Sequence, residues 1–438
     1  MGIWKHSTAL KRSTAAVSLV CVGALVLAAC SSTSSSSSAA ASSSGSSSSA
    51  SSSSAASSAA PTKSPVTVAL IDPLTGPFGF FGQYVKNSLQ LEVNLLNQHG
   101  GLLGHKVVLQ AYDDKLDPQT TVQVATQVAD NPNVDLVVGP DITSFFDAAK
   151  GIMAKANKLE CEVAIDSDTG LQGQPYAFNM NPDNKVVVET LLNYLKNNTS
   201  VRSVGMVYEQ DATGEQTNTD FQTLAPKYGI KYLGVQYTSA NESNYVPQIQ
   251  KLMSAGAIYF SNLTPNNVET ATSAQQAGYK GILINGTGAQ AYFYPQGAGP
   301  AASGTVFVSG PLFLPGMTTA PQSQWPSGYR TFYNQTIAAG GKIAKGTKPG
   351  LEELEGTSEA APCIQFWAAA AAKAGTLNGP AVAKAWASLN VPPSQNALGM
   401  QATFSNGQLF TSPNQLYVYR WNYANGRWSL QVLAKPSA

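Results

Sequence analysis

Residues 66–114 constrain this chain most, because a strand, a helix and a second strand follow one another there within about 50 residues. VTVALI (66–71) is a β-branched run of the kind that becomes a buried strand. DPLTGP (72–77) ends it, since proline and glycine do not continue a central strand. From Tyr84 to Asn97 the residues Val85, Leu89, Val93 and Leu96 recur at helical spacing. His99-Gly100-Gly101 stops that helix, because glycine adopts the left-handed cap without steric cost. Residues 106–111 then read as a strand closed by Asp113 and Asp114. The order fits a parallel βαβ unit with a right-handed crossover.

In parallel sheets of this kind, ligands sit beyond the carboxyl ends of the strands. The loop expected at 72–82 lies at such an end and carries Phe78, Phe80 and Phe81. These rings either wall a ligand cleft or plug the lobe's own core, and periodicity leaves both readings open.

The blocks TGPFGFFG, NQHGGLLGHKV and YDDKLDP, in that order, resemble the opening of the type I periplasmic binding proteins. The resemblance is strongest to the leucine/isoleucine/valine-binding receptors of ABC importers and extends more weakly to the C-terminus. It implies an α/β fold of two Rossmann-like lobes joined by three crossover segments. Lobe 1 would comprise 65–180 and 311–411, and lobe 2 would comprise 181–310 and 412–438. The crossings are expected at 175–182, 304–311 and 409–412.

The N-terminus reads as an address. Lys5, His6, Lys11 and Arg12 precede an apolar run, 14–29, that is shorter than the roughly 20 residues of a bilayer span. It ends in Leu27-Ala28-Ala29-Cys30, so 1–29 read as a secretory signal. Cysteine directly after Leu-Ala-Ala resembles a bacterial lipobox, which implies cleavage before Cys30 and lipidation of its thiol. Residues 31–64 are nearly all serine and alanine, cannot bury enough surface to fold, and read as a flexible tether from a membrane anchor.

The remaining body of about 370 residues exceeds one usual core, so two lobes are expected. A net charge of +1 with 12% charged residues offers no basic stripe for nucleic acid. Once Cys21 leaves with the signal and Cys30 is lipidated, Cys161 and Cys363 remain. Outside the cytoplasm they can pair. The family packs both positions on one lobe, while spacing alone leaves bridge and free thiols open. The disulfide of some relatives is absent, with Leu116 and Ile142 at its positions.

Further along, strand 134–138 leads into GPDITS and a helix from 145. Thr143 and Ser144 there suit a ligand anion at a helix N-terminus, or cap that helix. The resemblance implies that Thr143 contacts the solute. Strand 159–165 ends in Asp166-Ser167-Asp168-Thr169. Asp166 matches a solute-touching position of the family, and the alternative is a solvated Asx turn. In lobe 2, strands at 203–208, 257–260 and 282–285 precede loops carrying Thr213, Asn262, Thr264 and Thr287.

Amino-acid-binding relatives hold the α-ammonium with an acid at the position of Thr287, and often carry tyrosine where Thr213 and Thr264 stand. A buried ammonium without a charge partner is costly. Either Asp166, Glu209 or Asp211 substitutes, or the solute is not an ordinary α-amino acid; we favour the second.

Gly286-Thr-Gly288-Ala-Gln-Ala291 imitates a dinucleotide fingerprint, but no acid occurs between Glu269 and Glu352 to take the ribose. The only histidines are His6, His99 and His105, and no HExxH, GxSxG or GxxxxGK[ST] occurs. Tyr417, Tyr419 and Trp421 alternate as one buried strand face.

The resemblance therefore implies a lipid-anchored, extracytoplasmic, monomeric receptor without cofactor, metal or catalysis. It would deliver an amino-acid-like, amide or aromatic-acid solute to ABC importer permease subunits. The expected solute contacts are Phe80, Phe81, Thr143, Ser144, Asp166, Ser167, Thr213, Asn262, Thr264 and Thr287. A sensor without a transport role and a hydrolase are the alternative readings.

Overall fold

The computed structural model describes residues 63–76, 79–163, 170–239, 242–262, 266–314, 316–339 and 353–436. The signal, Cys30, the tether, Phe78, Asp166, Ser167 and Thr264 lie outside the described residues.

β1, Lys63–Asp72, is buried from Val66 onward, as its β-branched run demands. α1, Gly79–Gln98, follows and lays Val85, Leu89 and Val93 on the core. Gly100 and Gly101 (φ 96° and 74°) release the chain into β2, His105–Asp113. α2 (Pro118–Asp130), β3 (Val134–Val138), α3 (Thr143–Lys155), β4 (Glu160–Glu162) and β5 (Ala177–Asn179) complete the first sheet. Its order is β2-β1-β3-β4-β5, and all its pairings are parallel.

α1 starts five residues earlier than the apolar periodicity predicts, so Phe80 and Phe81 lie in its first turn, not in a loop. The helix begins tight against the preceding chain: a Cβ on Gly82 would lie 2.3 Å from the Pro73 carbonyl oxygen. β4 is three residues, shorter than the predicted 159–165.

The second sheet is fed by α4 (Asn184–Asn198), β6 (Ser203–Glu209), α5 (Ala212–Leu224), β7 (Lys231–Thr238), α6 (Val246–Lys251), β8 (Ala257–Phe260), α7 (Asn266–Gln276), β9 (Ile282–Asn285), α8 (Phe293–Ala298) and β10 (Val306–Ser309). The chain continues as α9 (Ser327–Ala339), whose Tyr329 and Phe332 join the core cluster of the second sheet, then as α10 (Glu353–Ala374) and α11 (Gly379–Trp386) against the first sheet, and a small pair, β11 (Asn390–Val391) with β12 (Ala402–Thr403). It ends in the antiparallel hairpin β13 (Tyr417–Ala424) and β14 (Arg427–Ala434). Asn425 and Gly426, both at positive φ, make its turn. The second sheet runs β14-β13-β10-β9-β8-β6-β7.

Both faces of each sheet are covered. In the first, Val68, Leu70, Leu136 and Cys161 meet α1, α10 and α11, while Ala69, Ile71 and Val137 meet α2 and α3. In the second, Met206 and Tyr259 pack under α4 and α5, and Ile258 and Phe260 pack against α6 to α8. Tyr419 and Trp421 are fully buried and Tyr417 nearly so, as their alternation predicts. A disulfide joins Cys161 on β4 to Cys363 on α10, both fully buried.

The connections between the sheets lie side by side. Asn179 at the end of β5 donates its backbone N–H to Gly407 O (2.9 Å) and accepts at its carbonyl from Leu409 N (3.2 Å). The Asn179 amide also donates to Gln408 Oε1 at 3.1 Å. After β10, a Cβ on Gly310 would meet the Phe410 ring at 3.0 Å, so the second connection abuts the third.

Candidate functional site

The two sheets repeat one topology. In the first, β1 is flanked by β2 on one side and β3 on the other; in the second, β6 is flanked by β7 and β8 in the same way. That reversal of strand order is the switch point at which open parallel sheets bind ligands, beyond the strand ends. In the first lobe it places the segments after β1 and β3 together. These carry Phe80, Phe81, Thr143 and Ser144. In the second it places the segments after β6 and β8 together, carrying Thr213 and Asn262, with Thr287 following β9. Tyr84 near the start of α1 stacks on Phe293 at the start of α8, ring centroids 6.4 Å apart. The strand-end side of one lobe therefore touches that of the other.

The side chains differ from one another in burial. Phe81 is half-buried and packs against the first core while keeping part of its ring exposed. The Phe80 side chain lies outside the described residues. Thr143 is buried and Ser144 exposed on the first turn of α3. Neither is the N-cap. Ile142, in extended backbone (φ −134°, ψ 130°), takes that place without a side-chain bond, and its carbonyl already accepts from Phe145 N and Phe146 N. The threonine-serine pair therefore sits inside the helix, and the capping alternative falls. Thr213 and Asn262 are half-buried, and Thr287 is buried.

Hydrogen bonds hold the tip segments in place. Asp113 at the end of β2 accepts from Leu74 N at 2.8 Å and from the Thr75 hydroxyl, which pins the segment after β1. In the second lobe Glu209 Oε1 accepts from Ser261 Oγ at 2.7 Å and from the Asn266 amide, joining the ends of β6 and β8. Burial pushes the Glu209 carboxyl up, against the pull of those two bonds. Its other oxygen, Oε2, is buried without a hydrogen-bond partner among the described residues. Asp211 is committed to capping α5 through Gly214 N at 2.7 Å. Asn262 Oδ1 accepts from Gly288 N at 3.4 Å, and a Cβ on Gly288 would lie 2.1 Å from the Asn262 carbonyl oxygen. Only glycine allows that approach.

Sequence reasoning missed a pair of carboxyls at the first lobe's tip. Asp72 ends β1, Asp141 follows β3, and both are buried. Burial first, and the neighbouring Asp141 second, raise Asp72 well above the usual carboxylate range; burial raises Asp141 to about 7. The available signal was an aspartate directly after each of two switch-point strands.

Known proteins of similar sequence and shape agree with this architecture. A Leu/Ile/Val-binding protein homologue from Brucella melitensis is 26% identical over 247 residues, 56% of this chain and 67% of its own length. A type 1 periplasmic binding protein from Bordetella pertussis superposes with a TM-score of 0.73 at 18% identity, covering 84% of this chain and 100% of that one. A solute-binding protein of an ABC transporter from Rhodopseudomonas palustris BisB5, solved in complex with 3,4-dihydroxybenzoic acid, gives 0.69 at 16% identity, covering 84% and 96%. The sequence model of the periplasmic binding protein family matches residues 65–427, and the chain belongs to that family.

Proposed function

We propose that this chain is an extracytoplasmic receptor that clasps a small solute between the two switch points and delivers it to an ABC importer. The reading rests on one observation: two sheets of the same strand order present matching tip segments beside one another. Ligand binding would shift an open–closed equilibrium, with lobe 1 (65–180 and 311–411) and lobe 2 (181–310 and 412–438) moving about the three connections, and the closed form would dock on the permease. Residues 1–29 would be removed, Cys30 lipidated, and 31–62 would tether a monomeric receptor to the membrane, since Lys63 and Ser64 already belong to β1. The protein would bind its solute without turning it over.

Phe80 and Phe81 would contact the apolar body of the solute. Thr143, Ser144, Asp166, Ser167, Thr213, Asn262, Thr264 and Thr287 would fix its polar groups. With Asp211 committed to its cap, the acidic atom left to a cationic group in the second lobe is Glu209 Oε2. Amino-acid-like, amide and aromatic-acid solutes fit these side chains, consistent with the solutes named for the relatives.

Thermal-shift screening of a solute library on residues 57–438, a compact unit by themselves, tests this. A solute that binds the native state raises the melting temperature. For the solute so found, Thr143→Ala is expected to weaken binding about fivefold, the worth of one hydrogen bond. Phe81→Ala is expected to weaken it about tenfold through lost apolar contact. Calorimetric titration reads both, and unchanged affinity in both variants would remove the site from these tips.

A further inference from the structure

α1 carries two apolar faces. Val85, Leu89 and Val93 lie in the core of the first lobe. Tyr84 and Leu91 stand off that stripe, seven residues apart and so on one face at about 3.6 residues per turn. Leu91 is buried in the cluster that holds Phe307 and Tyr419 of the second sheet. Tyr84 stacks on Phe293 of α8, ring centroids 6.4 Å apart and planes 28° from parallel. Both rings are half-buried. Aromatic pairs attract in this arrangement beyond the area they bury, out to centroid separations of about 7 Å.

The pair stands where a hinge motion is felt. The first connection leaves the first sheet at β5, its edge strand, where Asn179 bonds the backbone of residues 407–409. α1 follows β1, which is three strands in from β5, about 14 Å at the usual strand spacing. One ring belongs to each lobe, so swinging the lobes about those connections parts the rings. The 6.4 Å separation is already near the outer limit, so a small swing ends the attraction. The stack therefore belongs to the closed form alone. It is made by two protein side chains and needs no solute to complete it.

We propose that the Tyr84–Phe293 stack is a latch that biases the solute-free receptor toward its closed form. The inference rests on the reading of two lobes that close on a solute, and goes beyond it by assigning part of the closing free energy to contacts between the lobes themselves. A contact made only in one of two states shifts their ratio by its own strength. Solute entry then waits on release of the latch.

The test measures the distance between the lobes in the absence of solute. Residues 57–438, a compact unit by themselves, contain as cysteines only the bridged Cys161 and Cys363. Spin labels at Ala148→Cys on α3 and Thr219→Cys on α5, both exposed and one on each lobe, are read by pulsed electron resonance. Tyr84→Ala and Phe293→Ala are each expected to raise the ratio of long to short distances about two- to tenfold. The double substitution is expected to raise it no further than the larger single one, because each removes the same contact. Tyr84→Phe keeps the ring and is expected to leave the ratio unchanged. Two distances whose ratio ignores the alanine substitutions would overturn the latch and leave lobe closure standing. One fixed distance in every variant would overturn both. A Tyr84→Phe protein as open as Tyr84→Ala would also overturn the stack as the cause.

Discussion

Replacing Cys161 and Cys363 together by serine is expected to lower the unfolding free energy by about 3–5 kcal/mol. The bridge joins residues 202 apart in sequence. The loop it closes contains the last strand of the first sheet, every parallel strand of the second, and α9. Cross-linking a loop of that length removes chain entropy from the unfolded state amounting to about 5 kcal/mol at 25 °C in the entropic account. Both sulfurs are buried between β4 and α10, so two serine hydroxyls would replace them without solvent access. Guanidinium unfolding of the oxidised and doubly substituted proteins measures the difference. Coincident midpoints would show that the bridge contributes nothing to stability.

The second large effect is a dependence on pH of unusual sign. Glu160 and Glu162 alternate with Cys161 on β4 and therefore face away from α10, toward the side covered by α2 and α3. Both are buried: among the described residues, Glu160 Oε1 and both oxygens of Glu162 have no hydrogen-bond partner. Burial raises Glu160 to about 8. It raises Glu162 well above the carboxylate range, with Glu160 and Asp141 adding to it. A carboxyl whose folded pKa exceeds its unfolded value binds more protons in the native state between the two values. Stability therefore falls as pH rises through that window, here from about 4.5 toward 8. The folded protein is expected to be more stable at pH 5 than at pH 8 by about 2–4 kcal/mol from these two groups. Glu160→Gln should recover about half of that at pH 8 and change little at pH 5. Melting temperatures of the two proteins at both pH values decide the matter. A wild-type melting point that climbs from pH 5 to 8, with Glu160→Gln inert, would refute the assignment.

Much of the architecture was legible because parallel strands buried on both faces announce themselves as short β-branched runs. Strands 134–138, 257–260 and 282–285 have the bounds their composition predicts. The α1 start was misplaced because the stripe was followed only from Val85, although Phe81 stands four residues before Val85 on the same face and the helix reaches it. The Thr143-Ser144 pair looked like a cap by residue type, and only the extended backbone at Ile142 shows that the turn begins one residue earlier. The buried acids were illegible for a different reason. LECEVAI alternates like a half-exposed strand, while its polar face lies against helices.

The ladder between Asn179 and residues 407–409 has a mechanical consequence. Two connecting segments that share backbone bonds act as one ribbon, so neither can slide past the other without breaking the pairing. What remains to the halves is bending across that ribbon. In the receptor proposed above, the width of the mouth would then follow a single bending angle.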